Sequence, residues 1–587
     1  MLGFRRWPSR PRLKHGADHP LNSDAPRRPH LVLALSIVAR HLGQGWAKAV
    51  HSGWRLLPRR PRAVLLRLLT GRLPVVAALG LHATGQRDRA RAQLRRGHRG
   101  RAVEAATACG ELELARELVS AGAVPPVTEA RLLRAEGHLE QALAVARRGG
   151  PGTPALVAEL TGELGALSPD RRLGTARTPG PPWPRPGGSA APLRVLHLVS
   201  NALPEVQAGY TLRTAGIVAA QRELGLQPHV VTRLGFPVDT GRVLAADRVE
   251  IGGVPHHRLL PGVLPRRHDE ALQRAADELA ALVDELRPDL LHAHSKHDNA
   301  QVALAVGARR GLPVVYEVRG MLEETWRSRG GDPASDLYRL SREAETWCMR
   351  SAARVLTLGP AMAAEITGRG VPTERVVVTP NAVDRSFLTG ADGGAVRARL
   401  GIGADEVVVG VVGTLNDYEG LDVLVRAAAA AGVRLLVVGD GPARSELQQL
   451  AAATGARALL PGRVPHADVP AHLAALDLFA VPRRPTPVTS LVSPLKPVEA
   501  MAAGLPLLVS DLPPLTELLE GDAHGWSAPA GDVDGWTAVL TRLTADRDEL
   551  RRRGRAAASW IEHSRTWDHL AHQHATLYTE VVAEAAR

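Results

Sequence analysis

A lysine and a glutamate stand three residues apart at Lys496 and Glu499, in Ser493-Pro-Leu-Lys-Pro-Val-Glu. That is about one helical turn, so the two side chains can share a face. The sequence places Lys496 on a loop leading into a helix that begins near Val498. An ammonium beside helix N-terminal amides favours a bound anion. The bland alternatives are a solvated lysine and a carboxylate that caps the first helical turn; the scarcity of lysine in this segment favours the anion site. Asp289, His292 and His294 lie together on an apolar run and are expected to end a strand. Two triplets, Asp532-Val-Asp and Asp546-Arg-Asp, have the look of metal ligands. Asp532 follows Pro-Ala-Gly and precedes a helical stretch from Trp536, so it reads as an N-cap and no metal is expected. Cys109 and Cys348 are the only cysteines. Far apart and without a CxxC spacing, they predict neither a disulfide framework nor a zinc site, and they point to a reducing compartment, the cytoplasm.

These residues need elements to position them. From about residue 193 short Val/Leu runs alternate with helical stretches: Val195 to Val199, His229 to Thr232, Leu290 to Ala293, Val314 to Val318, Arg354 to Leu358 and Val376 to Thr379. A second series follows Asp384, with Val407 to Val412, Arg434 to Val438, Arg457 to Leu460, Leu476 to Val481 and Leu505 to Val509. Such alternation predicts parallel sheets wrapped by helices, an α/β class with two doubly wound domains in tandem. Ligands of such domains bind at the carboxyl ends of the strands, here in a cleft between the two.

The 587 residues are too many for one core. Residues 1–30, rich in Pro and Arg, read as a disordered basic tail, and 31–168 as an α-helical region. Within that region Ala108-Cys-Gly-Glu-Leu-Glu-Leu-Ala and Ala135-Glu-Gly-His-Leu-Glu-Gln-Ala share a theme that suggests degenerate helical-hairpin repeats turning at glycine. A Pro/Gly stretch at 169–192 reads as a linker. The domains then run 193–383 and 384–564, with a closing helix over 565–587.

The net charge of +13 is uneven, because residues 1–100 carry 21 Lys and Arg against 3 Asp. A basic segment on a mildly acidic body suits an anionic membrane surface, with Leu31 to Val38 lying in the interface as an amphipathic helix. It suits equally a partner-binding helical module with a solvated arginine-rich surface. No run reaches the roughly 18–20 apolar residues needed to span a bilayer.

Several motifs, in order, resemble the family 4 retaining glycosyltransferases of GT-B fold, in a branch associated with exopolysaccharide assembly. They are Leu196-His-Leu-Val-Ser with Ala208-Gly-Tyr-Thr-Leu-Arg-Thr, Asp289-Leu-Leu-His-Ala-His-Ser, Val314-Val-Tyr-Glu-Val-Arg-Gly, Pro380-Asn-Ala-Val-Asp, Val438-Gly-Asp-Gly-Pro and Ser493-Pro-Leu-Lys-Pro-Val-Glu-Ala-Met-Ala-Ala-Gly-Leu-Pro. The resemblance implies transfer of a sugar from a nucleoside diphosphate sugar to a glycan or lipid-linked acceptor. The nucleotide sugar would be a substrate, with no further cofactor and no nucleic-acid partner. It implies that Lys496 neutralises the leaving diphosphate and that Glu499 accepts hydrogen bonds from the ribose hydroxyls. Gly209 and Thr414 would let backbone approach the donor, Arg463 and Val464 would line the nucleobase, and His294 would lie near a sugar.

The chain also departs from the family pattern. The first of two carboxylates expected around the sugar falls at Ser490 or Leu491. The phosphate loop, ordinarily Gly-Arg-Leu and Lys-Gly, reads Gly413-Thr-Leu and Glu419-Gly. A glutamate near a diphosphate is repulsive by a few kcal/mol at intermediate dielectric, roughly, so Glu419 must turn away or pair with an arginine. Arg319, Arg483 and Arg484 are the candidates to replace the lost charge, since bidentate guanidinium suits phosphate. A non-catalytic nucleotide-sugar-binding adaptor, recruiting partners through its helical N-terminus, is the alternative reading.

Overall fold

The computed structural model describes residues 28–43, 45–56, 69, 73–168, 173 and 191–587. The expected disordered tail at 1–30 and linker at 169–192 therefore lie almost wholly outside the described residues. The chain divides into two compact units, one of Pro380–Leu570 and one built mainly from Ser23–Glu250, Val254–Thr379 and Ala571–Arg587.

The core of the larger unit is an eight-stranded sheet. Its strands run, across the sheet, Val376–Val378, Arg354–Thr357, Val314–Val318, Leu290–His294, Arg194–Val199, Gln227–Thr232, Val254–Arg258 and Arg248–Ile251. Strands such as Leu290–His294 and Val314–Val318 are buried at every position, as a parallel sheet covered on both faces requires. The closing helix Trp567–Ala585 packs Leu577, Tyr578 and Val581 against Val195, Leu290 and Val315. The last two strands, Val254–Arg258 and Arg248–Ile251, were not expected, because His256, His257 and the paired Gly252-Gly253 interrupt any apolar run.

The other unit holds six strands, all paired parallel, in the order Ala458–Gly462, Arg434–Val438, Val408–Val412, Leu478–Val481, Leu507–Ser510 and Gly525–Ala528. Five match the expected series; the last, Gly-Trp-Ser-Ala, is too short and mixed to stand out.

The helical region breaks at the glycines that mark its shared theme. Gly110, at φ 78°, separates Arg99–Cys109 from Leu112–Ser120, and Gly137, at φ 90°, separates Pro126–Ala135 from Leu139–Ala146. This is left-handed backbone that glycine adopts without a Cβ penalty. This region packs on the sheet-bearing unit. Leu139, Leu143 and Leu160 share a core with Ala344 of the helix Asp336–Ser351, and Gln301 Nε2 donates to Ala166 O at 3.1 Å. The helix Leu31–Gly43 likewise seats Leu33 and Ile37 against Val238 and Ala245.

Candidate functional site

In the six-stranded unit the residues singled out by sequence gather at the carboxyl ends of parallel strands. Gly413 and Thr414 follow Val408–Val412, Arg463 and Val464 follow Ala458–Gly462, and Arg483 follows Leu478–Val481. The helix begins at Lys496, two residues before the expected start. Its side chain crosses directly over Gly413, where an added Cβ would collide with the lysine methylenes. Gly413 also has φ 154°, a backbone conformation that favours glycine.

Lys496 Nζ lies 3.4 Å from Thr414 O and 3.4 Å from Glu419 Oε1. Glu419 in turn receives Arg483 through Nε at 3.0 Å and Nη2 at 3.3 Å. The apparent conflict of a glutamate in a phosphate loop is thereby removed. Burial would raise the Glu419 carboxyl, but Arg483 and Lys496 outweigh it and hold the carboxyl below its ordinary value. The three groups together carry +1. Arg483, expected to meet the donor phosphates, is instead buried against Glu419 and Val492 O, and Arg484 pairs with Asp422 at 2.7 Å. Lys496, paired with Glu419 and 28% exposed at the side chain, is the cation that lies over Gly413 at the strand ends. Burial lowers the Lys496 ammonium, with Glu419 opposing the shift.

Glu499 sits one turn further on, and burial pushes its carboxyl up to about 7 against the pull of Lys496. A carboxyl raised on folding contributes stability that is complete below the ordinary carboxylate range and is lost as pH rises through about 7. Glu499→Gln is therefore expected to raise the thermal midpoint relative to wild type at pH 8 and to give no such gain near pH 4.5. The same variant should weaken nucleotide binding by roughly 1.5–3 kcal/mol, the worth of a hydrogen bond to a charged group. Thermal shift at both pH values, with and without nucleotide, checks both effects. An equal shift at the two pH values would contradict the assignment.

The second cluster lies in the larger unit, where sheet register builds it. His197 aligns with His292, and His294 with Glu317, on neighbouring parallel strands. Residues two apart on a strand face the same side. Glu317 is fully buried and takes Arg213 Nε at 2.8 Å on one oxygen and Arg319 Nη2 at 2.7 Å on the other. Burial would raise the Glu317 carboxyl; Arg213, Arg319 and His294 reverse this and hold it well below the carboxylate range. Burial also pushes His294 down to about 4, helped by Arg319, so its ring is neutral at pH 7.

A chain of hydrogen bonds follows. His294 Nδ1 donates to Glu317 Oε2 at 2.6 Å, because a carboxylate can only accept. His294 Nε2 and His197 Nδ1 are bonded at 2.9 Å, and His197 Nε2 bonds the Gln221 amide at 2.9 Å. That amide bonds the Tyr578 hydroxyl at 3.1 Å, and the hydroxyl bonds His292 Nδ1 at 2.7 Å.

His294, expected near a sugar, and Arg319, expected to replace the lost phosphate-loop charge, are 2% and 8% exposed at the side chain and pair with Glu317. They position the loop ends of two strands, with Arg319 Nη1 also donating to Thr214 Oγ1 at 2.7 Å and Tyr210 O at 3.0 Å. Asp289 precedes its strand rather than ending it, and its carboxylate accepts from Arg194 N at 2.7 Å. Gly209 opens the helix Gly209–Glu223, and a Cβ added there would meet no described atom. The triplets Asp532 and Asp546 cap helices, accepting from Asp534 N and Glu549 N.

Sequence reasoning missed Glu317 and Arg213. Both signals were present, since a glutamate in Val-Val-Tyr-Glu-Val and an arginine in an otherwise neutral helix start are charges where burial forbids unpaired ones.

Two parallel-sheet units with a cation and carboxylate at the strand ends of one define a GT-B architecture. Residues 208–382 match the family model described as "Glycosyl transferase 4-like domain", and 406–546 the one described as "Glycosyl transferases group 1". A D-inositol 3-phosphate glycosyltransferase of Thermomonospora curvata is 30% identical over 316 residues, covering 50% of this chain and 71% of the relative. Another, of Nocardia farcinica, is 35% identical over 219 residues, covering 34% of this chain and 47% of that protein. The chain thus spans about half the length of that relative. Among solved structures, the sucrose-phosphate synthase of Thermosynechococcus elongatus aligns with TM-score 0.56 at 20% identity, over 67% of this chain and all of that one. Anabaena HepE in complex with UDP aligns with TM-score 0.54 at 20% identity, over 66% of this chain and all of that one. The chain belongs to the family 4 glycosyltransferases.

Proposed function

We propose that this protein transfers a sugar, with retention at the anomeric carbon, from a nucleoside diphosphate sugar to a glycan or lipid-linked acceptor in polysaccharide or glycoconjugate assembly. The observation that carries the reading is Lys496, stretched over Gly413 at the strand ends and held between Thr414 O and Glu419. The acceptor hydroxyl oxygen bonds to the anomeric carbon as the bond from that carbon to the phosphate oxygen breaks. The departing diphosphate takes the electron pair and the acceptor's proton, and Lys496 stabilises the charge that develops on it. Glu499 receives the ribose hydroxyls, and Arg463 and Val464 stand at the strand end for the base. Intact Lys496 and Glu499, and relatives whose names are those of transferases, favour catalysis over the adaptor reading.

The test is transfer from an α-linked nucleotide sugar in excess chelator, with the product's anomeric configuration read by NMR. An α-linked product supports the reading. A β-linked product, or turnover lost with chelator and restored by Mn²⁺ or Mg²⁺, would overturn the mechanism.

A lipid-linked acceptor is favoured by the helix Leu31–Gly43. With Leu33 and Ile37 packed inward, Leu31, Val32, Leu35 and Val38 on the same helix are each more than half exposed, as is nearby Leu244. Exposed apolar side chains flanked by Arg28 and Arg40 suit an anionic bilayer surface. Among the described residues no helix is long and apolar enough to cross a membrane. Full-length protein is expected to sediment with anionic vesicles at low salt, and Val32→Asp/Leu35→Asp to lose most of that binding. Equal sedimentation of the two proteins, or none by wild type, would contradict membrane docking.

A further inference from the structure

The helical region outside both family matches brings together His51, His82 and Cys109, whose ligand atoms all lie within 4.8 Å of one another. They come from three helices, Trp46–Leu56, Pro74–Ala83 and Arg99–Cys109, which pack around a shared core of Trp54, Leu79 and Ala106. The absence of any CxxC spacing predicted no zinc site, but spacing rules see only ligands near one another in the chain. Here folding assembles them from distant positions.

The geometry points to a zinc ion held by His51, His82 and Cys109, with Glu111 as an outer carboxylate. His51 Nε2 and His82 Nδ1 are 3.3 Å apart. Two nitrogens bound at about 2.05 Å to a tetrahedral zinc stand about 3.3 Å apart. The rings are tilted by 56° rather than stacked, so their edges converge. Two imidazoles and a thiolate are the borderline-soft set that zinc selects. The other ring nitrogen of His82, Nε2, faces Glu111 Oε1 at 3.7 Å, and Arg91 holds the second Glu111 oxygen at 2.7 Å. A metal-bound histidine characteristically presents its second nitrogen to a carboxylate that fixes the ring and raises its basicity. His82 is 13% exposed at the side chain, so solvent and ion can reach the group. Three protein ligands leave the fourth position for water, and binding releases the Cys109 thiol proton to solvent.

The other histidine group, His197, His292 and His294, converges as closely. There the guanidinium groups of Arg213 and Arg319 lie against the same Glu317 and would repel a cation. The N-terminal group has its arginine on the far oxygen of Glu111.

The experiment uses tag-free, full-length protein stripped with chelator and titrated with Co²⁺ alone, then with Zn²⁺. One Co²⁺ per chain is expected, with a thiolate-to-cobalt charge-transfer band that Zn²⁺ removes. Cys109→Ser should abolish the band, because Cys348 is buried. Glu111→Gln should weaken Zn²⁺ binding by about 10–100-fold. In wild-type protein Zn²⁺ should also protect Cys109 from alkylation, a readout independent of how the variants fold. Absence of the band and of protection in wild type, or a band that persists in Cys109→Ser, would overturn the proposal.

Discussion

Lys496→Ala is expected to lower glycosyl transfer by about 10²-fold or more, acting mainly on kcat. The ammonium lies over Gly413 at the strand ends, whereas Arg483 is buried on Glu419 and Arg484 turns to Asp422. Removing it leaves Glu419 and Arg483 at net zero, so no compensating charge meets the leaving diphosphate. Lys496→Arg should recover little, because a planar guanidinium presents its charge differently from a compact ammonium. Steady-state kinetics separates the effects: a loss confined to KM would show that Lys496 serves ground-state binding alone.

Glu317→Ala is expected to produce the largest loss of stability, about 3–5 kcal/mol. The carboxylate pairs with two guanidinium groups at once, one on each oxygen, and Arg213 is 2% exposed, so neither water nor another anion can replace it. The contribution of Glu317 is present at neutral pH. Because its carboxyl is depressed, that contribution is complete above the ordinary carboxylate range and is lost progressively as pH falls from that range to the lowered value. Thermal unfolding of wild type, Glu317→Ala, Arg319→Ala and the double variant gives the coupling directly. A Glu317→Ala midpoint within about 2 °C of wild type would contradict the buried-network account.

Much of this was legible in the sequence, for identifiable reasons. Strands buried on both faces leave uninterrupted apolar runs such as Leu290-Leu and Val314-Val-Tyr, so both parallel sheets could be read directly. Lys496 and Glu499 could be read because their spacing is local. Partners across the chain are harder to read: the sequence signals that Glu419 turns away or needs an arginine, but that Arg483 is the one, and that His51 meets His82, emerges only on folding. The sign of a charge is visible in sequence, whereas its partner is not. That is why the sequence points Arg319 and Arg483 at a ligand, while the fold pairs them with Glu317 and Glu419.

The central claim is that a nucleoside diphosphate sugar is the donor and that Lys496 faces its diphosphate. The most direct measurement is nucleoside diphosphate release from a panel of UDP-, GDP- and ADP-sugars by wild type and Lys496→Ala. The account predicts release from one donor class by wild type and about 10²-fold less by the variant. No release or binding of any member by wild type, or equal release by the two proteins, would contradict it.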